Sequence, residues 1–323
     1  MIHTDILVVT YNRLDKLKKA LLHYEQQTSA FRNLIIVNNC SSDGTAEFLT
    51  EYCSQRHEKF QTVLINTDEN LGGSGGFYLG QKKALELNAD WVMVADDDAY
   101  AAPDMVKQFY NFIEHNDTSK ISAVCAAVYN VDGSICDYHR RRMFLTSPEG
   151  NGLINKISLD YNSAPVDISE YEKDYFKIDL LSYVGAFLNV TALRKIGLVN
   201  KKYFIYCDDS EHSFRLQKFG DIVVVPNMII THEGGAEGKN NNNVIITWVE
   251  YYMTRNHMHT LIHHHPRTVI KKYIEQLRCT IGAWLHHPTI LINEKVERDA
   301  MWDAFWGRLG KHPIYKPGWE VTK

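Results

Sequence analysis

The first hundred residues alternate short apolar, β-branched runs with stretches of helical periodicity. This alternation is typical of βαβ units, which form a parallel sheet through right-handed crossovers. The predicted strands are Asp5 to Val9, Leu34 to Val37, Thr62 to Ile65 and Trp91 to Ala95. The predicted helices between them are Leu14 to Glu25, Thr45 to Cys53 and Ser74 to Asn88. The pattern therefore predicts an α/β fold with a mainly parallel sheet.

Polar residues follow each predicted strand at the point where the strand ends. They are Thr10-Tyr11-Asn12, the run from Asn38 to Asp43, the run from Asn66 to Gly76, and Asp96-Asp97-Asp98. Open α/β sheets bind ligands in the crevice outside the carboxyl ends of their strands. We therefore expect these polar residues to converge on one ligand-binding crevice.

The chain after the first hundred residues changes character twice. Residues 130–176 mix glycine, serine, proline, charge and tyrosine, which leaves an irregular insertion and a small hairpin region both open. Beyond Thr247 helical periodicity dominates. We therefore predict an α/β domain over residues 1–246, with 130–176 as its insertion, and a C-terminal helical region over residues 247–323.

Composition excludes several classes of protein. With 45% hydrophobic residues the chain can bury a full core, and no apolar run approaches the roughly 18 residues that a membrane span needs. The cysteines are scattered without the spacing of a zinc site. The net charge of −4 predicts no nucleic-acid partner, and we expect a cytoplasmic protein.

The acidic run Asp96-Asp97-Asp98 follows a predicted buried strand. Burying three carboxylates together without a cation would be costly, and carboxylate oxygens suit Mg²⁺ or Mn²⁺. A solvated acidic turn that caps the helix near Pro103 is the alternative. The residues alone leave both interpretations open.

A glycine-rich stretch, Asn70-Leu71-Gly72-Gly73-Ser74-Gly75-Gly76, lies between the third strand and a helix. Backbone N–H groups at a helix N-terminus can bind a phosphate, although a flexible loop has the same composition. Amides and hydroxyls at the tips of the first two strands, among them Asn12 and Asn38, suit the edge of a nucleobase. Each of these clusters is also a common strand end or helix cap.

Two further positions carry titratable groups. Asp209 follows Asp208 at the start of a predicted helix, where it could be a catalytic carboxylate or part of a capping box. The helix dipole at that position predicts that Asp209 stays ionised. His232 follows a predicted strand and suits either a metal ligand or a core histidine.

The order of these motifs resembles glycosyltransferase family 2, over roughly residues 3–256. The matching residues are Val8 to Arg13, Asn38-Asn39, Ser42 to Thr45, Asn70 to Gly73, Asp96 to Asp98, Asp208-Asp209 and His232. The resemblance implies the GT-A fold, a Rossmann-like mixed and mainly parallel sheet with flanking helices. Within the family, Asn70 to Phe77 and the triple aspartate are most similar to galactofuranosyltransferases, followed by rhamnosyltransferases.

The resemblance also implies roles for acidic residues. Asp96 and Asp98 match the metal-binding DxD motif, and His232 matches the histidine that often completes the coordination of Mn²⁺ or Mg²⁺. Asp97 would lie near the ribose or the sugar. Asp209 matches the catalytic base.

The donor-binding residues follow from the same resemblance. The first nucleotide-contact segment of the family is matched by Thr10, Asn12 and Arg13, and its diphosphate and donor-sugar loop by Asn70, Gly72 and Gly73. Asn38 stands where the family usually has an aspartate that binds uracil, which leaves the identity of the base open. Tyr252, Arg255 and Asn256 resemble a motif that is frequent in the same subfamilies.

The implied activity is an inverting transfer of galactofuranose from UDP-galactofuranose onto a glycan or lipid-linked glycan, in surface polysaccharide assembly. A rhamnosyltransferase that uses dTDP-rhamnose is the alternative within the family. A sugar nucleotidyltransferase and a nucleotide-sugar-binding protein are alternatives of a different class. A cheap assay for released UDP or pyrophosphate would separate them.

Basic residues outnumber acidic ones from Tyr251 onward, where the chain is also rich in aromatic residues: Tyr273, Trp284, Trp302, Phe305, Trp306 and Trp319. Such a surface could bind the anionic inner face of the cell membrane, where the enzyme would have access to a lipid-linked acceptor. A helical cap on the catalytic domain, or a contact between copies of the chain in a homo-oligomer, explains the same residues. Both interpretations are open from the sequence.

Overall fold

A computed structural model describes residues 2–150, 152–234, 244–286 and 292–322. The chain forms two compact units. The first contains Met1–Arg142, Ala164–Lys201 and Asp209–Glu237, and the second contains Met143–Ser163, Lys202–Asp208 and Gly238–Lys323. The domain boundary at residue 246 remains a prediction.

The strands and helices are numbered here in chain order. The strands are β1 (Thr4–Thr10), β2 (Asn33–Asn38), β3 (Gln61–Asn66), β4 (Trp91–Asp96), β5 (Ala99–Ala101), β6 (Ile121–Asn130), β7 (Arg140–Thr146), β8 (Asp160–Pro165), β9 (Phe176–Ile178), β10 (Leu180–Leu181), β11 (Ala186–Asn189), β12 (Asp221–His232), β13 (Val244–Thr247) and β14 (Glu320–Thr322). The α-helices are α1 (Leu14–Glu25), α2 (Thr45–Ser54), α3 (Gly72–Glu86), α4 (Met105–His115), α5 (Leu153–Ile157), α6 (Val190–Ile196), α7 (Asp208–Leu216), α8 (Trp248–His264), α9 (Ile270–His286) and α10 (Ile292–Phe305). Short 3₁₀ helices lie at Ile168–Glu172, Lys201–Tyr203 and Pro266–Thr268.

The main sheet has nine strands in the order β3-β2-β1-β4-β11-β6-β12-β5, with β9 paired to β12. The strands β3, β2, β1 and β4 are parallel to one another, and β6 is parallel to β12. The strands β11, β5 and β9 pair antiparallel. The predicted mixed, mainly parallel α/β sheet is therefore confirmed, and all four predicted strands are present.

The central strands are buried on both faces, which explains their continuous apolar runs. Every residue of β1 and of β2 is buried. Because successive side chains of a strand point to opposite faces, Ile6 and Val8 belong to one core and Leu7 and Val9 to the other. Helices cover both faces of these central strands, which leaves the ends of β1 and β2 as the places where a ligand can reach them.

The glycine-rich stretch is helical rather than a loop. The helix α3 begins at Gly72, whereas the sequence predicted a helix that starts at Ser74. A Cβ atom on Gly76 would lie 2.5 Å from Val9 Cγ1, and one on Gly80 would lie 2.0 Å from Leu7 Cδ1. These two glycines are therefore needed for the close packing of α3 against β1, which explains Gly76 without a role in phosphate binding.

Residues 130–176 contain regular structure. The strand β7 lies between β10 and β8 in a three-stranded sheet, and α5 connects β7 to β8 in the chain. The strand β7 is antiparallel to β10, with Leu181 opposite Arg140. This pairing fixes the position of the residues that directly precede β7, which matters for the site below.

The second unit has its own core, in which Tyr251, Tyr252, Val296 and Ala300 are buried together. The helix α8 begins with a complete capping box formed by Thr247 and Glu250. An all-helical region beyond Thr247 was predicted, but β14 lies in that region and pairs antiparallel with β13. Across the described parts of the chain, no helix is long and apolar enough to span a bilayer.

Candidate active site

Three neighbouring parallel strands end at the same edge of the main sheet. Thr10 at the end of β1 lies opposite Asn38 at the end of β2, and Val9 lies opposite Asp96 at the end of β4. The pairing register of β1 with β2 and with β4 therefore places the polar residues of these strand ends next to one another. This edge is the expected ligand-binding position of a doubly wound sheet.

A cluster of Asp96, Asp98 and His232 lies at this edge. One ligand atom from each residue can be chosen so that all lie within 4.8 Å of one another. Pairing between β5 and β12 places His232 opposite Ala99, the residue after Asp98, and the N–H of Glu233 donates to the carbonyl of Asp98. Residues far apart in the sequence are thus held together by strand pairing.

Three nitrogen-bearing side chains surround Asp98, which is 3% exposed. His232 Nε2 lies 3.2 Å from Asp98 Oδ1, Arg13 Nη1 lies 3.0 Å from Oδ2, and Lys16 Nζ lies 3.4 Å from Oδ2. Burial opposes ionisation, but the contact with His232 and the charges of His232, Arg13 and Lys16 outweigh it and lower the pKa of Asp98 to about 2. Asp98 is therefore a carboxylate at neutral pH.

The neighbouring Asp97 has a different environment. Its side chain is buried and accepts a hydrogen bond of 2.7 Å from the Thr10 hydroxyl, and Arg13 Nη1 lies 3.5 Å away. Burial raises the pKa of Asp97 to about 6, against the lowering effect of Thr10 and Arg13. Thr10, Arg13 and Asp97 thus form one hydrogen-bonded and charged group at the end of β1.

The residues Asp96, Asp98 and His232 fit a divalent cation. Two carboxylates and an imidazole are a ligand set that Mn²⁺ accepts, and Mg²⁺ accepts the carboxylates. Asp98 Oδ1 is also a buried oxygen that accepts no hydrogen bond of good geometry. A buried carboxylate oxygen in this state is costly without a cation, so the cluster has the chemistry of a metal site.

The side-chain amide of Asn38 is occupied within the protein. Its Nδ2 donates to Asn66 Oδ1 over 2.9 Å, and its Oδ1 accepts from the Ser41 N–H over 3.2 Å. Asn12 has a left-handed backbone, with φ of 53°, and its Oδ1 accepts from the Ser42 N–H. In the structure both asparagines shape the loop after β2, and their contact with a nucleotide remains a prediction.

Asn39 organises the start of α3, a role that the sequence did not assign to it. Its Nδ2 donates to Asn70 Oδ1 and to the Gly72 carbonyl, and its Oδ1 accepts from the Leu71 N–H. Asn70 Oδ1 also accepts from the Gly72 N–H over 2.8 Å. A Cβ atom on Gly73 would meet nothing within 4 Å, so this position has open space beside it.

Asp209 lies in the first turn of α7. The N–H of Ser210 donates to Asp209 Oδ1 over 2.6 Å, and the Ser210 hydroxyl lies 3.3 Å from the same oxygen. The sequence predicted that the helix dipole would keep Asp209 ionised, and the structure adds an effect that opposes ionisation. Burial raises the pKa of Asp209, and the bonds from Ser210 and the charge of Arg140 offset this only in part.

The segment that leads into α7 has an unusual backbone. Phe204, Tyr206 and Cys207 have φ angles of 69°, 65° and 60°, a conformation that costs energy for residues other than glycine. The amide of Asn256 holds this segment by donating to three carbonyl groups, those of Tyr203, Ile205 and Tyr206. Arg255 also donates to the carbonyl of Tyr203. The motif that contains Arg255 and Asn256 therefore has a structural role that the sequence alone did not reveal.

Comparison with known proteins identifies the family. A model of glycosyl transferase family 2 matches residues 5–197, which is more than half of the chain. The chain belongs to glycosyltransferase family 2. It is therefore a glycosyltransferase enzyme, and the family predicted from the order of its motifs is confirmed.

The relatives include two proteins named galactofuranosyltransferase GlfT1. The one from Mycolicibacterium smegmatis is 27% identical over 228 residues, which cover 68% of this chain and 68% of the relative. The one from Mycobacterium tuberculosis is 27% identical over 225 residues, which cover 66% of this chain and 64% of the relative.

Solved structures with the same fold include two glycosyltransferases. Residues 1–349 of S. aureus TarS in complex with UDP-GlcNAc give a TM-score of 0.57 at 15% identity, covering 94% of this chain and 80% of that one. Mannosyltransferase PcManGT from Pyrobaculum calidifontis, in complex with GDP-Man and Mn²⁺, gives 0.55 at 15% identity, covering 96% and 76%. These similarities establish the GT-A fold that the sequence predicted.

Proposed function

We propose that this enzyme transfers galactofuranose from UDP-galactofuranose to a glycan or lipid-linked glycan, with inversion at the anomeric carbon, in surface polysaccharide assembly. The observation that carries the proposal is the cluster of Asp96, Asp98 and His232 at the edge where β1, β2 and β4 end. The names of the GlfT1 relatives support galactofuranose as the sugar. The UDP-GlcNAc and GDP-Man in the structural neighbours support a nucleotide-sugar donor.

In this proposal Asp96, Asp98 and His232 hold Mn²⁺ or Mg²⁺ at the end of β4. The bound cation would neutralise negative charge on the diphosphate that leaves, an effect worth several kcal/mol in related chemistry. Thr10, Asn12 and Arg13 would border the nucleotide, and Asp97 the ribose or sugar. Asn70, Gly72 and Gly73 would border the diphosphate and sugar at the start of α3. Asn38, at the end of β2, would lie near the base of the nucleotide.

Asp209 would act as the general base. It would accept the proton of an acceptor hydroxyl while that oxygen attacks the anomeric carbon in a single displacement, which inverts the configuration. Its raised pKa suits this role, because a base whose pKa is closer to neutrality accepts a proton more readily. The hydrogen bonds from Ser210 hold its Oδ1, which leaves Oδ2 as the oxygen to accept the proton.

A thermal-unfolding screen tests the donor. The full chain would be mixed with Mn²⁺ and one of five nucleotide sugars: UDP-galactofuranose, UDP-galactose, UDP-glucose, UDP-N-acetylglucosamine or dTDP-rhamnose. A ligand that binds only the native state raises the melting temperature by mass action. At a free-ligand concentration of a hundred times Kd, the free energy of unfolding increases by about 2.7 kcal/mol. We expect UDP-galactofuranose to stabilise the protein most.

The same screen tests the alternative within the family. Asn38-Asn39 replaces the aspartate that binds uracil in the family, and the amide of Asn38 has partners inside the protein, so the base of the donor is open to this test. Strongest stabilisation by dTDP-rhamnose would contradict the galactofuranose proposal and favour a rhamnosyltransferase. Release of pyrophosphate from UTP and a sugar phosphate would favour a nucleotidyltransferase, and donor binding without any turnover would favour a binding protein.

Membrane contact is a separate proposal for the second unit. Trp302, Phe305 and Trp306, on or just after α10, are 41%, 52% and 63% exposed. The Phe305 ring contacts the rings of both tryptophans. Aromatic side chains together with the basic excess after Tyr251 support binding to an anionic bilayer. We expect co-sedimentation with anionic vesicles at low salt and its loss at high salt. No sedimentation at low salt would favour the alternative, a helical cap or an oligomer contact.

A further inference from the structure

His232 has a second histidine behind it. His139 Nε2 lies 3.1 Å from His232 Nδ1, and the two rings meet edge to face with centroids 4.7 Å apart. On its other side, His139 Nδ1 lies 2.6 Å from the Ser182 hydroxyl. His139 is 4% exposed, and none of the roles described above uses it. The result is a chain of close polar contacts that runs from Ser182 through His139 and His232 to Asp98.

Backbone structure fixes both ends of this chain. His139 directly precedes β7 and Ser182 directly follows β10, and these two strands pair. The N–H of Ser182 donates to the carbonyl of His139 over 3.2 Å. The Tyr138 ring contacts the His139 ring at a centroid distance of 4.0 Å. His139 therefore has little freedom to rotate away from His232.

The His232 ring is confined on another side by Gly234. A Cβ atom at that position would lie 2.1 Å from the ring carbon Cε1. A glycine is thus needed where the chain passes the imidazole. In this arrangement His232 Nδ1 lies 3.1 Å from His139 Nε2 and 3.3 Å from the more exposed Tyr138 hydroxyl, and His232 Nε2 contacts Asp98.

The protons in this chain have two consistent arrangements. A neutral imidazole carries one ring proton, so one nitrogen donates and the other accepts. In the first arrangement Ser182 donates to His139, His139 donates to His232 Nδ1, and His232 Nε2 donates towards Asp98. In the second, His232 Nδ1 donates to His139 Nε2, and His139 Nδ1 donates to Ser182. Only the second leaves His232 Nε2 without a proton, as a metal ligand must be.

We propose that His139 is a positioning residue that accepts the Nδ1 proton of His232 and so holds His232 Nε2 ready to bind the divalent cation. This inference rests on the metal site of the proposed function. Metal-bound histidines generally donate their second N–H to such a partner, and loss of the partner costs about 10- to 100-fold in metal affinity. His139 would do this with an imidazole, itself oriented by Ser182.

Two substitutions at residue 139 separate this role from simple packing. In His139→Gln the terminal amide lies near the position of Nε2 and its oxygen can accept the proton of His232. In His139→Asn the amide lies near the position of Nδ1, so it can contact Ser182 but does not extend to His232. Asn is one methylene group smaller than Gln, so it can also lose more packing at this buried position, and thermal unfolding of each variant without metal measures that loss separately.

The test is a titration of the full chain with Mn²⁺, in which electron paramagnetic resonance measures the bound and free ion. Thermal unfolding of each variant in the absence of metal shows whether the variant is folded. We expect His139→Asn to weaken Mn²⁺ binding by about 10- to 100-fold and His139→Gln to stay close to wild type. Equal affinities for wild type and both variants, or equal losses in both, would overturn the positioning role. Absence of Mn²⁺ binding by wild type would overturn the metal site itself, and the positioning role with it.

Ser182→Ala provides an independent variant if the substitutions at residue 139 prevent folding. It removes the hydroxyl that orients His139 while it keeps the His139–His232 contact. We expect a measurable but smaller loss of Mn²⁺ affinity than in His139→Asn. Affinity equal to wild type in Ser182→Ala, with no folded variant at residue 139, would count against the proposal.

Discussion

Asp98 and Asp209 are both acidic residues of the first unit, and both follow directly after another aspartate. Asp98 is buried beside His232, Arg13 and Lys16, and its interaction with His232 and the charges of Arg13 and Lys16 lower its pKa to about 2. Asp209 has two hydrogen bonds from Ser210 and the more distant charge of Arg140, which are too weak to offset burial, so its pKa is raised. Burial acts in the same direction on both carboxyls, and the number of nearby cations decides the outcome.

This difference separates two kinds of chemistry. A carboxylate that remains ionised at every physiological pH suits a metal ligand, whereas one with a raised pKa suits proton transfer. The pKa values of the pair thus support the division of roles in the proposed function. Each prediction below tests one side of the division, from the largest expected effect to the smallest.

Removal of the divalent cation should have the largest effect. Chelation with EDTA should reduce transfer by more than about 10³-fold, because a bound cation supplies several kcal/mol of charge stabilisation. Added Mn²⁺ should restore it. The measurement is UDP release from UDP-galactofuranose, with His232→Gln as a variant that should respond weakly to Mn²⁺. Transfer that persists in EDTA would remove the metal from the account.

The substitution Asp209→Asn should reduce turnover by about 10²-fold or more, as the loss of a general base implies. The variant keeps the shape of the side chain and its ability to accept the Ser210 N–H. Asp208→Asn, at the preceding position of α7, is the matched control and should lose much less. Similar losses of turnover in the two variants would show that turnover depends on the structure of the helix start rather than on the Asp209 carboxylate.

The acidity of Asp209 should appear in the pH profile. A base must be ionised to accept a proton, so turnover should fall as the pH falls, with a midpoint above the ordinary aspartate value of 3.8. Ser210→Ala removes the side-chain hydrogen bond that lowers this pKa and should move the midpoint to higher pH, by less than about one unit. A midpoint at or below 3.8 would contradict the burial effect.

The same pKa shift has a consequence for stability. Because the folded-state pKa of Asp209 is raised, the native state binds this proton more readily than the unfolded state does. Its contribution to stability is therefore present at low pH and lost as the pH rises through the raised pKa. In Asp209→Asn this pH dependence should disappear from chemical-denaturation curves.

The smallest effect should come from an exposed ion pair next to the metal cluster. Lys19 Nζ lies 2.8 Å from Glu233 Oε2, and the two side chains are 50% and 39% exposed. Lys19→Met should change the free energy of unfolding by no more than about 1 kcal/mol, because exposed pairs are screened by water. Lys16→Met, which removes a cation from buried Asp98, should cost more. The reverse order would mean that burial around Asp98 has been overestimated.

The sequence predicted the parts of this molecule that depend on regular patterns. Apolar runs located β1 to β4, and polar residues after them located the edge at which Asp96, Asp98 and His232 meet. His232 could be assigned to that edge only through the family's order of motifs, since its contact with Asp98 depends on pairing between β5 and β12.

Other features could not be predicted because they depend on tertiary contacts. The acidity of Asp209 is set by burial, which a helix N-terminus does not reveal. The start of α3 at Gly72 depends on hydrogen bonds with Asn39 and Asn70, which the local sequence does not reveal. The strand β14 is short and pairs with a distant part of the chain, and no local pattern announces it.

One calorimetric experiment tests the division between Asp98 and Asp209 most directly. The affinity for UDP would be measured with and without Mn²⁺ for wild type, Asp98→Asn and Asp209→Asn. We expect Mn²⁺ to increase the affinity for UDP to the same degree in wild type and in Asp209→Asn, and to change this affinity little in Asp98→Asn. Loss of the Mn²⁺ effect in Asp209→Asn, or its retention in Asp98→Asn, would contradict the account.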